Sequence, residues 1–261
     1  MSEYQNLLTE EAGGVLTIQL NRPKANAFDG GMVDELLAVL KRAASDGGIR
    51  CLVLTGAGRV FSAGQDVGII AERPGEISFR EQLGRTFNRV ILRMRQLEKP
   101  IVGAINGAAA GAGLGIALAT DIRLAAESAR FVFGFTGIGL MADSGTSLNL
   151  PLLIGMARAA EMAFTNAPVS ADQALAFGLV NRVVPDPELP AAAAELAASL
   201  ASGPTRALGL TKRAFNHAVL ENLERTLDYE SYLQDIAGKT EDHKEGVSAF
   251  VEKRRSVFRG V

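Results

Sequence analysis

The run KPIVGAINGAAAGAGLGIALATDIRLAA, from Lys99 to Ala126, decides how the rest of the chain is read. It opens on a short apolar run, 101–105, with the pattern of a buried strand. Gly and Ala then fill most of 107–115, a helix-like segment continues to Thr120, and a second apolar run begins after Asp121. Small residues at this density let a backbone approach a ligand or another helix with no side chain in between. The first N–H groups of such a helix lack intrahelical acceptors and sit at a positive dipole end, a good place for a negative oxygen. The same density also fits a helix buried by close packing and nothing more.

Two motifs fail here. A dinucleotide fingerprint G-x-G-x-x-G begun at Gly111 and Gly113 meets Ile116 where its last glycine belongs. A nucleophile elbow G-x-S-x-G comes closest at Val60-Phe61-Ser62-Ala63-Gly64, with Val60 in the first glycine's place.

The 261 residues suffice for one large domain with a smaller appendage, and 48% hydrophobic residues supply a core. A net charge of −2 gives no general attraction to nucleic acid or an anionic membrane. Neither a signal peptide nor an apolar run of membrane-spanning length is seen, so a soluble cytoplasmic protein is expected. Cys51 is the single cysteine, which excludes an internal disulfide. His217 and His243 fall in polar C-terminal helices, and no metal site is expected from them.

Working outward, Val15–Leu20 alternates as a strand and 31–44 reads as a helix that Asp29 can cap. The near-continuous apolar run 51–55 fits a strand covered on both faces. A loop follows at 56–66, a mobile loop at 71–76, and one helix over 77–97 from the spacing of Phe79, Leu83, Phe87, Val90, Ile91 and Met94. Strands alternating with helices in this way predict βαβ units and a parallel sheet. Short helices are expected at 144–153, 156–164 and 172–178, then a strand at 179–184. From 190 the chain reads as helices at 190–202, 205–219, 221–237 and 241–256. No sequence repeat is found.

Taken together, several segments resemble the crotonase, or enoyl-CoA hydratase/isomerase, family over nearly the whole chain. They are 21–27 (NRPKANA), 61–66 (FSAGQD), 99–107, the Gly/Ala run 111–115 and Asp121-Ile122. Further matches are 170–184 and Glu245-Gly246 with Ala249-Phe250. Each motif is weak, but the ordered set is specific. The resemblance implies an α/β fold, a spiral of ββα units forming two roughly perpendicular sheets over 1–188, followed by a helical trimerisation region over 189–261. It also implies a homotrimer or a hexamer, an acyl-CoA as substrate, and no separate cofactor.

The resemblance further assigns the site. The thioester oxygen would meet the backbone N–H groups of Ala63 and Ala112, one from each Gly/Ala loop, with Gly111 just before the second. Such donors matter because the α-proton of a thioester is removable only if the enolate oxygen is stabilised, and each contributes roughly 3–4 kcal/mol when preorganised. The CoA end would lie along Lys24, Ala25 and Ala27 and along Gln65, Asp66 and Val67. Phe250 and Lys253 would add contacts from the last helix, which charge patterning alone reads as an exposed surface.

Departures from the family pattern bear on the reaction. Hydratases of the family use two glutamates to add water, and the matching positions here hold Gly115 and Phe135. A carboxylate stands slightly downstream, Asp143 in GLMADSG (139–145), resembling the Gly-Leu-x-Pro-Asp-x-Gly of family isomerases with Ala142 in place of Pro. One base suffices for a proton shift, whereas hydration needs a second group to activate water. An enoyl-CoA isomerase that uses Asp143 is therefore expected. A helix N-cap is the other reading of Asp143. Three alternatives stand beside the isomerase: an enoyl-CoA hydratase-like enzyme, an aryl-CoA hydrolase or dehalogenase, and a non-catalytic acyl-CoA-binding subunit. The dehalogenase pattern places a histidine on the helix matching 77–97, which contains none.

Overall fold

The structure, a computed structural model, describes residues 4–23, 25–72 and 78–261. Lys24, residues 73–76 of the expected mobile loop and residue 77 lie outside the described residues, while 71 and 72 of that loop belong to a helix, Val67–Glu72. Strands β1 (Leu7–Ala12) and β2 (Val15–Leu20) form an antiparallel hairpin, and helix α1 (Gly30–Ser45) follows. Three strand pairs come next: β3 (Cys51–Gly56) with β4 (Val60–Ser62), β5 (Ile101–Ile105) with β6 (Ala108–Ala110), and β7 (Ile122–Ala126) with β8 (Arg130–Val132). Helices α2 (Val67–Glu72), α3 (Phe79–Arg85) and α4 (Phe87–Gln96) separate the first two pairs, and α5 (Ala112–Ala119) separates the last two.

In each pair the first strand joins a sheet of order β1-β2-β3-β5-β7-β10 and the second joins a sheet of order β4-β6-β8-β9. Glycine permits the corner between them. A Cβ on Gly56 would lie 2.2 Å from Val60 O, and one on Gly107 would lie 2.0 Å from Arg59 O. The Asn106 side chain pins the same corner, accepting from Gly56 N–H at 3.0 Å and donating to Gly58 O at 3.0 Å. The structural repeat is carried by backbone path and small residues, so the sequence shows none.

Beyond β8 come α6 (Thr146–Ile154), α7 (Met156–Thr165), β9 (Val169–Ser170), α8 (Ala171–Phe177) and β10 (Arg182–Val184). The C-terminal helices are α9 (Leu189–Ser202), α10 (Thr205–Val219), α11 (Leu223–Ala237) and α12 (Glu241–Glu252). Helix α9 seals one face of the larger sheet, with Leu189, Ala193, Ala197 and Ala201 against Cys51, Val53, Val102, Ala104 and Leu124. Burial there pushes the Cys51 thiol up to about 12. Met156, Phe164 and Phe215 stay exposed on α7 and α10.

Several expectations change. The helix over 77–97 is two helices, broken at Thr86, whose hydroxyl donates to Gln82 O at 2.7 Å and competes with the helical ladder. The loop at 56–66 contains β4, the Gly/Ala run contains β6, and the strand at 179–184 shrinks to Arg182–Val184. These strands of three residues are too short to show a period. Asp29 caps α1 as expected, its Oδ1 accepting from Met32 N–H at 2.8 Å.

Candidate active site

The N-terminus of α5 and the loop after β4 meet at one cavity. Gly64, with φ 86°, lies against them so closely that a Cβ would sit 3.0 Å from Ala112 N. Ala112 is the first residue of α5, and among the described residues nothing accepts its N–H. Ala63 differs: its N–H donates to Ala25 O at 3.0 Å. The two expected donors are thus brought together, but one is engaged within the chain. Ala25 and Asn26 hold left-handed φ values of 66° and 53°, unusual for side-chain-bearing residues. The Asn26 side chain secures them, donating to Ala57 O at 3.0 Å and Val60 O at 2.8 Å.

The cavity has a volume of about 850 Å³. Its lining includes Ala25, Ala27, Ala63, Gln65, Asp66, Val67, Gly111, Ala112, Asp143, Phe250 and Lys253. Every described member of the expected set is therefore on one wall or another, and Phe250 and Lys253 reach it from α12 of the same chain. Asp66 also has a structural task, pairing with Arg22 at 2.9 Å. Phe79, Ile138, Leu140 and Phe135 give the cavity an apolar side. Phe135 packs edge-on against Phe133 with ring centroids 5.1 Å apart.

Asp143 is 6% exposed and faces this cavity. Its Oδ1 accepts from the Ser144 hydroxyl at 2.7 Å and its Oδ2 from Gln234 Nε2 at 2.8 Å. Among the described residues no ion pair engages it. Burial pushes its carboxyl up to about 6, against the two hydrogen bonds that favour the charged form. It does not cap α6. The N-cap is Gly145, and two N–H groups of that helix start, those of Gly145 and Ser147, are served by Glu230 from α11. Gly145 N–H donates to Glu230 Oε2 at 2.8 Å, and Ser147 N–H and hydroxyl donate to Oε1 at 2.9 and 2.5 Å. Glu230 and Gln234 escape a sequence reading because acids and amides on a polar helix ordinarily mark a solvated face.

The first glutamate position of the hydratase pattern is closed in this fold. A Cβ on Gly115 would lie 2.6 Å from Ser144 Cβ and 2.8 Å from Ser144 O. The turn that presents Asp143 fills the space.

The enoyl-CoA hydratase/isomerase family model matches residues 10–261. The chain belongs to the enoyl-CoA hydratase/isomerase family. It is 42% identical over 257 residues to 1,2-epoxyphenylacetyl-CoA isomerase of Escherichia coli K12, covering 97% of this chain and 98% of that one. It is 36% identical over 255 residues to the short-chain-enoyl-CoA hydratase of Clostridium acetobutylicum, covering 97% of each. Among solved structures, an enoyl-CoA hydratase from Mycobacterium avium subsp. paratuberculosis superposes with a TM-score of 0.89 at 34% identity. That match covers 98% of this chain and 99% of the other. In this enoyl-CoA hydratase/isomerase family member His243 is buried, contrary to a polar helix face. Its Nδ1 lies 2.8 Å from Ile138 O, its ring is edge-on to Phe79, and burial lowers its basicity.

Proposed function

We propose that the protein is an acyl-CoA isomerase that shifts a double bond by proton transfer through Asp143. The observation that carries this reading is the buried Asp143 at the cavity wall, on a turn that occupies the room a Gly115 side chain needs. A carboxylate with neutral hydrogen-bond donors, no cation and a raised pKa is a competent base near neutral pH.

In this mechanism Asp143 takes the proton from C2 of a 3-enoyl-CoA, and the charge moves to the thioester oxygen. Ala112 N–H receives that oxygen, joined by Ala63 N–H once the Ala25 carbonyl gives it up. The resulting carboxylic acid returns the proton at C4. The oxygen's negative charge then flows back, leaving the double bond between C2 and C3. Proton count balances with one residue. Hydration requires a second proton carrier, and Gly115 and Phe135 supply none. The E. coli relative is also named as an acyl-CoA isomerase, of an epoxide and not of an enoyl group.

The test is Asp143→Asn with 3-hexenoyl-CoA deuterated at C2. Asn keeps both hydrogen bonds, its oxygen accepting from Gln234 and its amide donating to the Ser144 oxygen. We expect kcat to fall roughly 10²–10⁴-fold while KM holds, and deuterium transfer to C4 to disappear. The wild-type rate is expected to drop as pH falls through about 6, where Asp143 takes up a proton. An Asp143→Asn enzyme with wild-type kcat rules this base out. Undiminished acyl-CoA binding without turnover by the native protein supports a binding subunit instead.

A further inference from the structure

We infer that one face of α11, Glu230 together with Gln234, positions the Asp143 carboxylate for proton transfer, with Gln234 as the residue that sets its orientation. The inference rests on the isomerase reading. Residues 230 and 234 are one helical turn apart and so project from the same side of α11. Both are buried, at 1% and 0% exposure. Glu230 holds the segment after Asp143 through Gly145 and Ser147. Gln234 holds the segment before it, its Oε1 accepting from Met141 N–H at 2.9 Å. That bond decides the amide's orientation. With Oε1 committed to an N–H, Nε2 is the atom turned to Asp143, and it donates to Oδ2 at 2.8 Å.

The consequence is chemical as well as steric. Five hydrogen bonds from two side chains of α11 clamp 141–147 on both sides of the base, counting Gln234 to Asp143, Met141 to Gln234, and the three to Glu230. A donated amide hydrogen favours the ionised form of Asp143, the form that can accept a proton. Ser144 shares that task at Oδ1, in a left-handed turn with φ 57° that leaves little freedom to reorient. Gln234 does not line the cavity, so it acts through Asp143 and not on the substrate.

The titratable groups around the site lie on three elements. Glu230 lies on α11, His243 on α12 with its Nδ1 at Ile138 O, and Asp66 and Lys253 line the same cavity as Asp143. Of these, Glu230 alone bonds the turn that carries Asp143. All its partners there are donors, so they stabilise its charge, while burial and the Asp143 charge oppose it.

The experiment compares Gln234→Met and Gln234→Glu with wild type, assayed on 3-hexenoyl-CoA across pH and checked for folding by thermal unfolding. Gln234→Met removes both hydrogen bonds at similar volume. We expect kcat to fall roughly 10²-fold with KM unchanged, the scale of a misplaced reacting group. The acid limb should move to higher pH, because a donor to the carboxylate is lost. Gln234→Glu can still accept from Met141 but, ionised, sets a like charge beside Asp143, and it should move the limb further the same way. If Gln234→Met does not fold, Gln234→Glu carries the test. A folded variant with wild-type kcat and an unmoved acid limb overturns the positioning role. Loss of activity in Asp143→Asn beside wild-type kinetics in these variants overturns it alone, whereas wild-type activity in Asp143→Asn overturns the base assignment beneath it.

Discussion

Two carboxylates on the two sides of α5, one half-buried among cations and one buried at a cavity, are put to opposite uses. Asp121, just past its C-terminus, is surrounded by cations: Oδ1 meets Arg95 at 2.8 Å and Oδ2 meets Lys212 at 2.8 Å. Oδ2 also accepts from Ile101 N–H at 2.9 Å, and Lys212 donates onward to Met94 O at 2.9 Å. Asp143 has a hydroxyl, an amide and a cavity. The first acid is committed to its partners and ties α4, β5 and α10 together. The second keeps a proton affinity raised by burial, so its charge can be gained or lost near neutral pH. Burial without a counter-ion separates the reactive acid from the structural one.

The comparison breaks most visibly through Asp121→Ala. Lys212, 7% exposed, is then left buried without its counter-ion, and burial already lowers its basicity. Denaturant unfolding should show a loss of about 3–5 kcal/mol. Adding Lys212→Met should recover part of that loss, because the stranded charge is gone. A cost below about 1 kcal/mol, the scale of an exposed pair, would place Asp121 among ordinary surface ion pairs.

A middle-sized effect is expected from Gly115→Ala. Its new Cβ collides with Ser144, so the turn must shift, at about 1–3 kcal/mol, the usual scale of overpacking. The kcat on 3-hexenoyl-CoA should fall along with stability, since the shifted turn carries Asp143. Unchanged kcat in a destabilised variant would separate the turn from the chemistry.

The last comparison is one of stability against pH in Asp143→Asn. The Asp143 carboxyl rises from 3.8 to about 6 on folding, so between those pH values the native state binds more protons than the unfolded one. Stability then falls as pH rises through this window, and at pH 8 the ionised acid is a net burden. Asp143→Asn should therefore melt no lower than wild type at pH 8, and its advantage should close as pH drops toward 4. A variant less stable at pH 8 than at pH 4, relative to wild type, would show that the hydrogen bonds outweigh burial.

Much of this molecule was legible as local pattern. The apolar runs at 15–20, 51–55 and 101–105, the capped helix after Asp29 and the existence of four C-terminal helices follow from period and punctuation, which neighbouring residues carry themselves, although the last helix ends at Glu252 and not at 256. The two Gly/Ala loops and the vacancies at Gly115 and Phe135 are likewise written in the chain. The short strands β4 and β6 were not, because three residues fold as strands through the neighbours they pair with, not through their own composition.

The state of the site belonged to the tertiary structure. Asp before Ser-Gly-Thr is a competent helix cap in sequence, yet the α6 start is served by Glu230, 85 residues away from Gly145. Gln234 reaches Asp143 across 91 positions. Whether Gly115 marks an empty place or a filled one depended on where Ser144 packs, and the Ala63 N–H depended on a carbonyl at Ala25. Sequence determined which groups the chain owns and which local shapes they favour. Burial and partner choice raise or quench a carboxylate's reactivity, and both arise only when distant segments share a few ångströms of space.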